Sequence, residues 1–334
     1  MAEWRQIMKL RILFNGFRHG HINGLYKKVS ESDIAEIAGC IELNDAAREA
    51  AAKNLGAQFS DKSYDEWLAD DSVDAVAIGG AYGERGAAVI KALKAGKHVI
   101  ADKPICITLE DLEEIRSLTK STGCKVACML DLRYYPQSIM AEEIIKSGRL
   151  GAVRNVAFNG QHCVDYANRP AWYFEEGMHG GTINDLSIHG VDLVRMMTGL
   201  EFDKVYSART WNAYAYKNPE FKDCALIMAS LSNGAGLLAD VSYSAPTQAF
   251  SLPSYWEFRI WCDKGMLTIS VNNSNVTLYE EGATAPEVIK CPPATYDYLT
   301  EFVSEISTGA TTVTENVLKS TETALSIQKA AIVE

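Results

Sequence analysis

The chain has 334 residues, enough for two domains that each bury their own core, and 47% of the residues are hydrophobic against 22% that are charged. This balance is typical of a globular protein and excludes an intrinsically disordered chain. The net charge is −11 with no basic run, which argues against nucleic acids and anionic membranes as partners, and no apolar segment is long enough to span a membrane.

Cysteine usage and the first residues bear on the cellular compartment. The eight cysteines are scattered, and the closest pair, Cys124 and Cys128, is not spaced as a C-x-x-C motif. Residues 1–5 carry no signal-peptide pattern. We therefore expect reduced thiols and a cytoplasmic protein.

The first third of the chain alternates short apolar runs with helix-forming stretches. The apolar runs, interpreted as buried strands, are 10–14, 37–43, 73–78, 98–101 and 125–130. The helix-forming stretches are 46–54, 85–95 and 111–120. Alternation at this spacing predicts a doubly wound parallel sheet.

After residue 132, strands follow one another directly across Gly and Asn turns, which implies antiparallel pairing. The predicted strands are 153–161, 204–211, 225–231, 236–244, 256–261, 266–271 and 276–279. The predicted helices are 140–147, 185–197, 298–307 and a last one from 315 onward. We therefore predict an α/β fold with a Rossmann-type domain over 1–131. An α+β domain with a large, mostly antiparallel sheet follows over 132–334, and its C-terminal helix could pack back on the first domain.

The first strand-to-helix turn, 14–21, is a degraded dinucleotide-binding fingerprint. Gly20 fits the third glycine of that pattern, but Asn15 and Phe17 replace the first two. Arg18, His19 and His21 would add positive charge beside a phosphate at the helix N-terminus. A generic strand-to-helix loop is the alternative interpretation.

Glu42 follows the second predicted strand, 22 residues after Gly20. A carboxylate at this place bonds the ribose hydroxyls of a dinucleotide and repels a 2′-phosphate, so Glu42 favours NAD over NADP. The alternative interpretation is that Glu42 is a solvated residue at the end of a strand.

Lys103 comes directly after the strand 98–101, at the sheet edge where ligands of α/β folds bind. Pro104 restricts Lys103 to an extended backbone and so holds its side chain in one direction. Such a lysine can bond a substrate hydroxyl. A surface lysine in a turn is the alternative.

The segment 179–189, HGGTINDLSIH, reads as a tight glycine turn into a helix start. In a helix, Asp185 and His189 are four residues apart on one face. Three interpretations are open: catalysis, a metal site that also uses Asp192, or a structural cap with a satisfied core histidine.

Aromatic residues are dense just before this segment. They suit a pocket for a polyhydroxylated ring, although most aromatics at such density are core. Arg169, among them, could instead recognise a carboxylate or phosphate. The candidate substrate-binding residues are Tyr166, Arg169, Trp172, Tyr173 and Asp185.

Several motifs together resemble one family. The segment 96–104, GKHVIADKP, resembles the Ala-Gly-Lys-His-Val-x-x-Glu-Lys-Pro motif of the glucose–fructose oxidoreductase / inositol dehydrogenase (Gfo/Idh/MocA) family. Segment 132–136 resembles its Arg-Phe-x-Pro motif, and 145–151 its Gly-x-Leu-Gly turn. Segment 180–192 matches its Gly-Gly-x-x-x-Asp-x-x-x-His-x-x-Asp pattern. The resemblance covers essentially the whole chain.

This resemblance implies an NAD(P)-binding Rossmann domain and a catalytic set of Lys103, Asp185 and His189. His189 would take the hydroxyl proton of a secondary alcohol as hydride leaves its carbon. The resemblance disfavours the metal interpretation, so we expect no metal and interpret Asp192 as structural. The residues expected to contact the cofactor are Gly16, Phe17, Arg18, His19, Gly20, Glu42, Gly80, Ala81, Asp102, Lys103 and Arg133.

Two further departures from the family pattern concern the cofactor's pose. Asp102 replaces the usual glutamate before the lysine, and Gly80-Ala81-Tyr82 replaces the usual Thr-Pro-Asn. We expect an NAD-dependent dehydrogenase acting on a sugar, inositol or related polyol. The alternatives are a redox-neutral epimerase, lyase or glycosidase that works through a transient ketone, or a non-catalytic NAD and sugar sensor. The open sheet implies a homodimer or homotetramer.

Overall fold

The computed structural model of the protein describes residues 9–246 and 251–334, so the expectation about residues 1–5 lies outside the described residues. The chain forms two compact units. Unit 1 runs to Met129 and includes Asp297–Leu318, whereas unit 2 comprises Leu130–Tyr296 and Lys319–Glu334. No helix in the described ranges has the length and apolarity needed to cross a membrane.

Unit 1 begins with alternating strands and helices. Its strands are β1 (Leu10–Asn15), β2 (Ala35–Ile41), β3 (Ala75–Ile78), β4 (His98–Ala101) and β5 (Val126–Cys128). Its helices are α1 (His21–Ser30), α2 (Asp45–Leu55), α3 (Tyr64–Leu68), α4 (Tyr82–Lys94), α5 (Leu109–Thr122) and α8 (Tyr298–Thr308). In the described part of the unit the five strands pair in parallel in the order β2-β1-β3-β4-β5. The predicted parallel sheet is confirmed.

Local chemistry explains where these elements begin and end. The four residues of β3 are all apolar and buried, as expected for a central strand covered on both faces. Asn44 caps the N-terminus of α2 by accepting a bond from the Ala47 N–H, and Gly56 ends that helix in the left-handed conformation. The Asn44 cap thus fixes the start of α2 shortly after the carboxyl end of β2.

Unit 2 is built on a large sheet. Its strands are β6 (Val153–Gln161), β7 (Phe202–Trp211), β8 (Cys224–Leu231), β9 (Gly236–Ser242), β10 (Glu257–Cys262), β11 (Gly265–Ser270), β12 (Asn273–Glu280), β13 (Glu287–Lys290) and β14 (Ile332–Val333). Among the described residues they pair in the order β13-β12-β11-β10-β6-β9-β8-β7-β14. Pairing is antiparallel except for β6 with β9 and β7 with β14. The predicted mostly antiparallel sheet is confirmed.

Three further helices, two in unit 2 and the last one of the chain, begin at residues other than those predicted. Helix α6 (Pro136–Lys146) begins four residues before its predicted start, because Pro136 occupies the first helical position, where its missing N–H costs nothing. Helix α7 (Ile188–Thr198) is preceded by a π-helical turn, Ile183–Ser187, rather than starting at Asp185. The last helix, α9 (Thr312–Ala330), starts three residues before its predicted start. A five-residue helix and a two-residue strand, α3 and β14, are too short for periodicity to find.

Candidate functional site

Two turns of unit 1 cross in close contact at the carboxyl edge of the parallel sheet. Gly16, after β1, has φ +90°, and a Cβ there would lie 2.6 Å from the Gly80 nitrogen. The Arg18 N–H donates to the Gly79 carbonyl at 2.9 Å, which ties the two turns together. Only glycine fits at Gly16, which therefore provides the tight turn that the dinucleotide fingerprint asks of its first glycine, one position later than the pattern placed it on the sequence.

The other fingerprint positions have different roles. Gly20 has φ −67°, and a Cβ there would meet open space, so packing does not require glycine at this position. Phe17 is 7% exposed and its ring packs on Phe59 and Tyr26. Because that ring points into the core, Phe17 leaves the approach to the turn open although it replaces a glycine. The N-terminus of α1 follows directly, as an anion site requires.

Glu42 lies one residue past β2, beside the crossing turns. Its carboxylate accepts the Phe17 N–H at 2.5 Å and the Asn44 N–H at 2.7 Å, one on each oxygen. It lines a cleft of about 560 Å³ in unit 1, together with Arg18, Gly80 and others. A cleft of this size with a fixed carboxylate at one end fits the adenosine half of a dinucleotide. Ala81 is buried as the N-cap of α4.

Lys103 is 2% exposed, and its nitrogen lies 5.7 Å from the centre of the Tyr82 ring. Its peptide bond to Pro104 is cis. The fully buried Arg85 donates to the carbonyls of Lys103 and of Pro104, the latter at 3.2 Å. Arg85 therefore holds the backbone at Lys103, shortly after the buried strand β4; that the Lys103 side chain is held in one direction stays a prediction.

Asp102, the acid before Lys103, is fully buried. His19 Nδ1 lies 2.6 Å from one of its oxygens and His21 Nδ1 lies 3.1 Å from the other. Burial acts to raise the pKa of Asp102, but the charge of Arg85 and the hydrogen bond from His19 outweigh it and hold that pKa well below its usual range. Asp102 is therefore an ionised carboxylate enclosed by its own chain.

His19 is the neutral member of this group. Burial lowers its pKa to about 4 against the opposing pull of Asp102. The tautomer that satisfies both neighbours carries its proton on Nδ1, facing Asp102, while Nε2 accepts the Tyr82 hydroxyl at 3.1 Å. His19 thus bridges the first turn and the start of α4.

In unit 2, Asp185 sits on the π-helical turn and is 1% exposed. His179 Nε2 lies 3.2 Å from its carboxylate, and the Tyr243 hydroxyl donates to the same oxygen. His179 and Tyr243 are themselves 3.0 Å apart. A single π turn inside a helix is frequent at functional sites, and here it carries a buried acid with an imidazole and a phenol.

Tyr243 and Arg169 complete this cluster. Burial raises the pKa of Tyr243 well above its usual value, and the charge of Asp185 raises it further, so its hydroxyl stays protonated as a donor. The Arg169 guanidinium stacks on Tyr173 and Tyr243, 4.6 and 5.1 Å from their ring centres. It also donates to the carbonyls of Val164 and of Cys163, at 3.1 and 2.5 Å. The guanidinium is thus held by its own loop.

His189, one residue into α7, is 5% exposed, and its ring lies edge-on to Trp256 at 5.4 Å. Asp192, one turn further on, binds the Arg133 guanidinium through both oxygens, at 2.8 and 3.2 Å, and accepts the Ser320 hydroxyl at 3.0 Å. This agrees with the expectation that Asp192 is structural. It also places Arg133, predicted to contact the cofactor, in an ion pair within unit 2.

The predicted aromatic residues divide into two groups. Trp172 and Tyr173 are each 2% exposed and pack on one another, 4.2 Å between ring centres. Tyr166 lies at the surface of the same loop, stacked on Phe174 and edge-on to Tyr216. Tyr173 therefore packs directly on His179 of the Asp185 cluster, whereas Tyr166 is connected to that cluster through the rings of Phe174 and Phe221.

Sequence analysis assigned no role to His179, Tyr243 or Arg85. His179 directly precedes the two glycines of the segment 179–189. Because the chain has only six histidines, its position there is a sequence signal that could have identified it as a candidate. Tyr243 is 58 residues from Asp185, and Arg85 is 18 residues from Lys103. Only the tertiary structure brings these pairs together.

Comparisons with known proteins agree with this architecture. Residues 14–129 match the model of the oxidoreductase family with an NAD-binding Rossmann fold, and residues 139–268 match the GFO/IDH/MocA C-terminal domain. Solved structures share this fold: a levoglucosan dehydrogenase in complex with NADH and levoglucosan has a TM-score of 0.82 at 16% identity over 97% of both chains. An aldose-aldose oxidoreductase of Caulobacter crescentus has a TM-score of 0.80 at 19% identity, covering 96% of this chain and 97% of the other.

The curated relatives match a smaller share of the chain than these structures do. The scyllo-inositol 2-dehydrogenase (NAD(+)) of Bacillus subtilis is 29% identical over 59% of this chain and 57% of its own. A levoglucosan dehydrogenase of Pseudarthrobacter phenanthrenivorans is 26% identical over 51% and 44%. The chain thus spans about half the length of these relatives. With both of its domains matched, the chain belongs to the GFO/IDH/MocA family of NAD-binding oxidoreductases.

Proposed function

We propose that this protein is an NAD-dependent dehydrogenase that transfers hydride between nicotinamide and a secondary alcohol of a sugar, inositol or related polyol. The observation that carries the proposal is the buried cluster of Asp185, His179 and Tyr243, because a few convergent polar groups in an apolar setting are suited to hydroxyl recognition. Relatives named for inositol and levoglucosan support the substrate class.

Unit 1 supplies the cofactor contacts in this proposal. Gly16 and Gly80 allow the backbone to approach the phosphates, and the N-terminus of α1 is oriented to receive them. Glu42 would accept the ribose hydroxyls, which favours NAD over NADP. Bound in this way, NAD supplies the hydride acceptor.

Proton handling falls to three residues of this chain. Lys103 would donate a hydrogen bond to the reacting oxygen, and His189 would take its proton as general base. Asp185, already bonded to His179 and Tyr243, would hold a neighbouring hydroxyl. We further propose a cytoplasmic homo-oligomer, since much apolar surface of the large sheet is left exposed.

The test is NADH formation when the protein is offered NAD⁺ with a panel of inositols, aldoses and anhydrosugars. Replacing the buried Lys103 by Ala should lower kcat/KM by about 10²-fold or more, whereas the exposed Lys120→Ala serves as the matched control and should leave it unchanged. Activity of Lys103→Ala within a few-fold of wild type would contradict the mechanism. Substrate turnover without NADH accumulation would instead favour the redox-neutral alternative.

A further inference from the structure

A buried charged cluster in unit 1 is larger than cofactor binding requires. The Asp102 carboxylate has His19 Nδ1 at 2.6 Å, His21 Nδ1 at 3.1 Å and Arg85 Nη2 at 3.3 Å. Asp102 and Arg85 are both fully buried. Since no part of this carboxylate reaches the surface, a ligand could contact it only if these side chains moved. Asp102 therefore serves the protein's own structure.

Arg85 distributes its bonds over two loops. Its Nε donates to the Gly80 carbonyl at 2.9 Å, in the turn that crosses Gly16. Its Nη1 donates to the carbonyls of Lys103 and Pro104, and Nη2 faces Asp102. The planar fork of donors on arginine suits this task, and a lysine could not reproduce it. One guanidinium thus binds the Lys103 and Pro104 carbonyls and faces the carboxylate of the preceding Asp102.

The histidines connect the same cluster to the first turn. His19 precedes the N-terminus of α1 and His21 begins it, so both side chains lie beside the proposed phosphate site. A cation is the other group that His19, His21 and Asp102 could bind, since one ligand atom from each lies within 4.8 Å of the others. However, Arg85 already neutralises the carboxylate, and Lys103 follows it directly in the chain. A dication would add charge where two fixed cations stand.

We propose that Arg85 and Asp102 are positioning residues that hold Lys103 in its reactive place, with His19 and His21 linking that place to the phosphate-binding turn. This inference rests on the proposed function, because Lys103 is the group through which Arg85 acts. A misplacement of about 1 Å can cost 10²-fold in rate, so a variant that loosens the hold of Arg85 and Asp102 on Lys103 should have a lower kcat.

The test compares Arg85→Lys, Lys103→Ala and the double variant. Arg85→Lys keeps the charge but loses the fork, and we expect kcat to fall by about 10- to 100-fold while the dissociation constant of NADH rises by a clearly smaller factor, through the lost bond to the Gly80 carbonyl. At saturating NAD⁺ the double variant should be no slower in kcat than Lys103→Ala, because Arg85 acts on the chemical step through the lysine. Losses that multiply in the double variant would overturn the proposal, as would NADH binding that weakens as much as kcat falls.

Two further measurements separate the alternatives. Hydrogen exchange at the Lys103 and Ile105 amides should quicken in both Arg85→Lys and Asp102→Asn, by more than the fall in global stability of each variant accounts for, even if no substrate is found for the wild type. Unchanged exchange rates at these amides in both variants would contradict the proposal that Arg85 and Asp102 hold Lys103 in place. The same protein should keep its NADH affinity after EDTA treatment. A stoichiometric metal that is lost in His21→Gln would replace this proposal with a metal site.

Discussion

Glu42 carries its charge where the second strand of the parallel sheet ends, and both of its oxygens are already held by backbone N–H groups. A carboxylate fixed in this way cannot turn aside from a 2′-phosphate. Glu42→Ala should therefore weaken NAD⁺ and shift the ratio of kcat/KM values for NAD⁺ and NADP⁺ by about tenfold or more toward NADP⁺. The exposed Glu36→Ala in β2 is the matched control. An unchanged ratio in Glu42→Ala would mean that this carboxylate does not meet the ribose.

His19 makes the stability of the protein depend on pH. Its pKa is lowered from 6.5 to about 4 by burial, so below pH 6.5 the unfolded chain binds a proton that the folded chain refuses. Stability from this residue is full above pH 6.5 and is lost as the pH falls toward 4, by about 3 kcal/mol. Urea unfolding measured across this pH range should show that the free energy of unfolding falls less steeply with decreasing pH for His19→Gln than for wild type. Parallel curves would show that His19 is protonated in the folded state.

At the scale of elements, the turn between β1 and α1 depends on one glycine and not on another. Gly16→Ala would force a Cβ to within 2.6 Å of the Gly80 nitrogen at φ +90°, so it should destabilise the protein by about 1–3 kcal/mol. Gly20→Ala meets open space at φ −67° and should leave the melting temperature nearly unchanged. Thermal unfolding of the two variants tests both expectations, and an equal fall of the melting temperature in both would contradict this account of the turn.

Much of the fold, but only part of the candidate site, could be predicted from the sequence. The parallel and antiparallel sheets and most strands could be predicted, since apolar runs and alternation depend on neighbours along the chain. The working glycine was misplaced by one position, because the fingerprint does not say that Gly16 must pass Gly80. The partners of Asp185 and Lys103 could not be predicted, since Tyr243 and Arg85 reach them only through tertiary packing. The π turn before α7 also has no local sequence signal.

At the scale of the whole molecule, one face of the large sheet of unit 2 is left exposed. Helices α6 and α7 pack on strands of this sheet, whereas Leu226, Met228 and Leu238 on β8 and β9 remain 45%, 46% and 53% exposed. They line a cleft of about 530 Å³ together with Arg209, Asp240 and others. A face that carries apolar side chains with charges of both signs can pair with a second copy of itself through a two-fold axis.

We therefore expect a homodimer or homotetramer that is held through this face. The double substitution Met228→Glu and Leu238→Glu would place repelling charges in the contact and should yield monomers of unchanged secondary structure. Light scattering after size-exclusion chromatography measures the mass, and Leu43→Glu, a fully exposed leucine in unit 1, is the control that should keep the wild-type assembly. A monomeric wild type, or an assembly that survives the double substitution, would show that this face is not the contact.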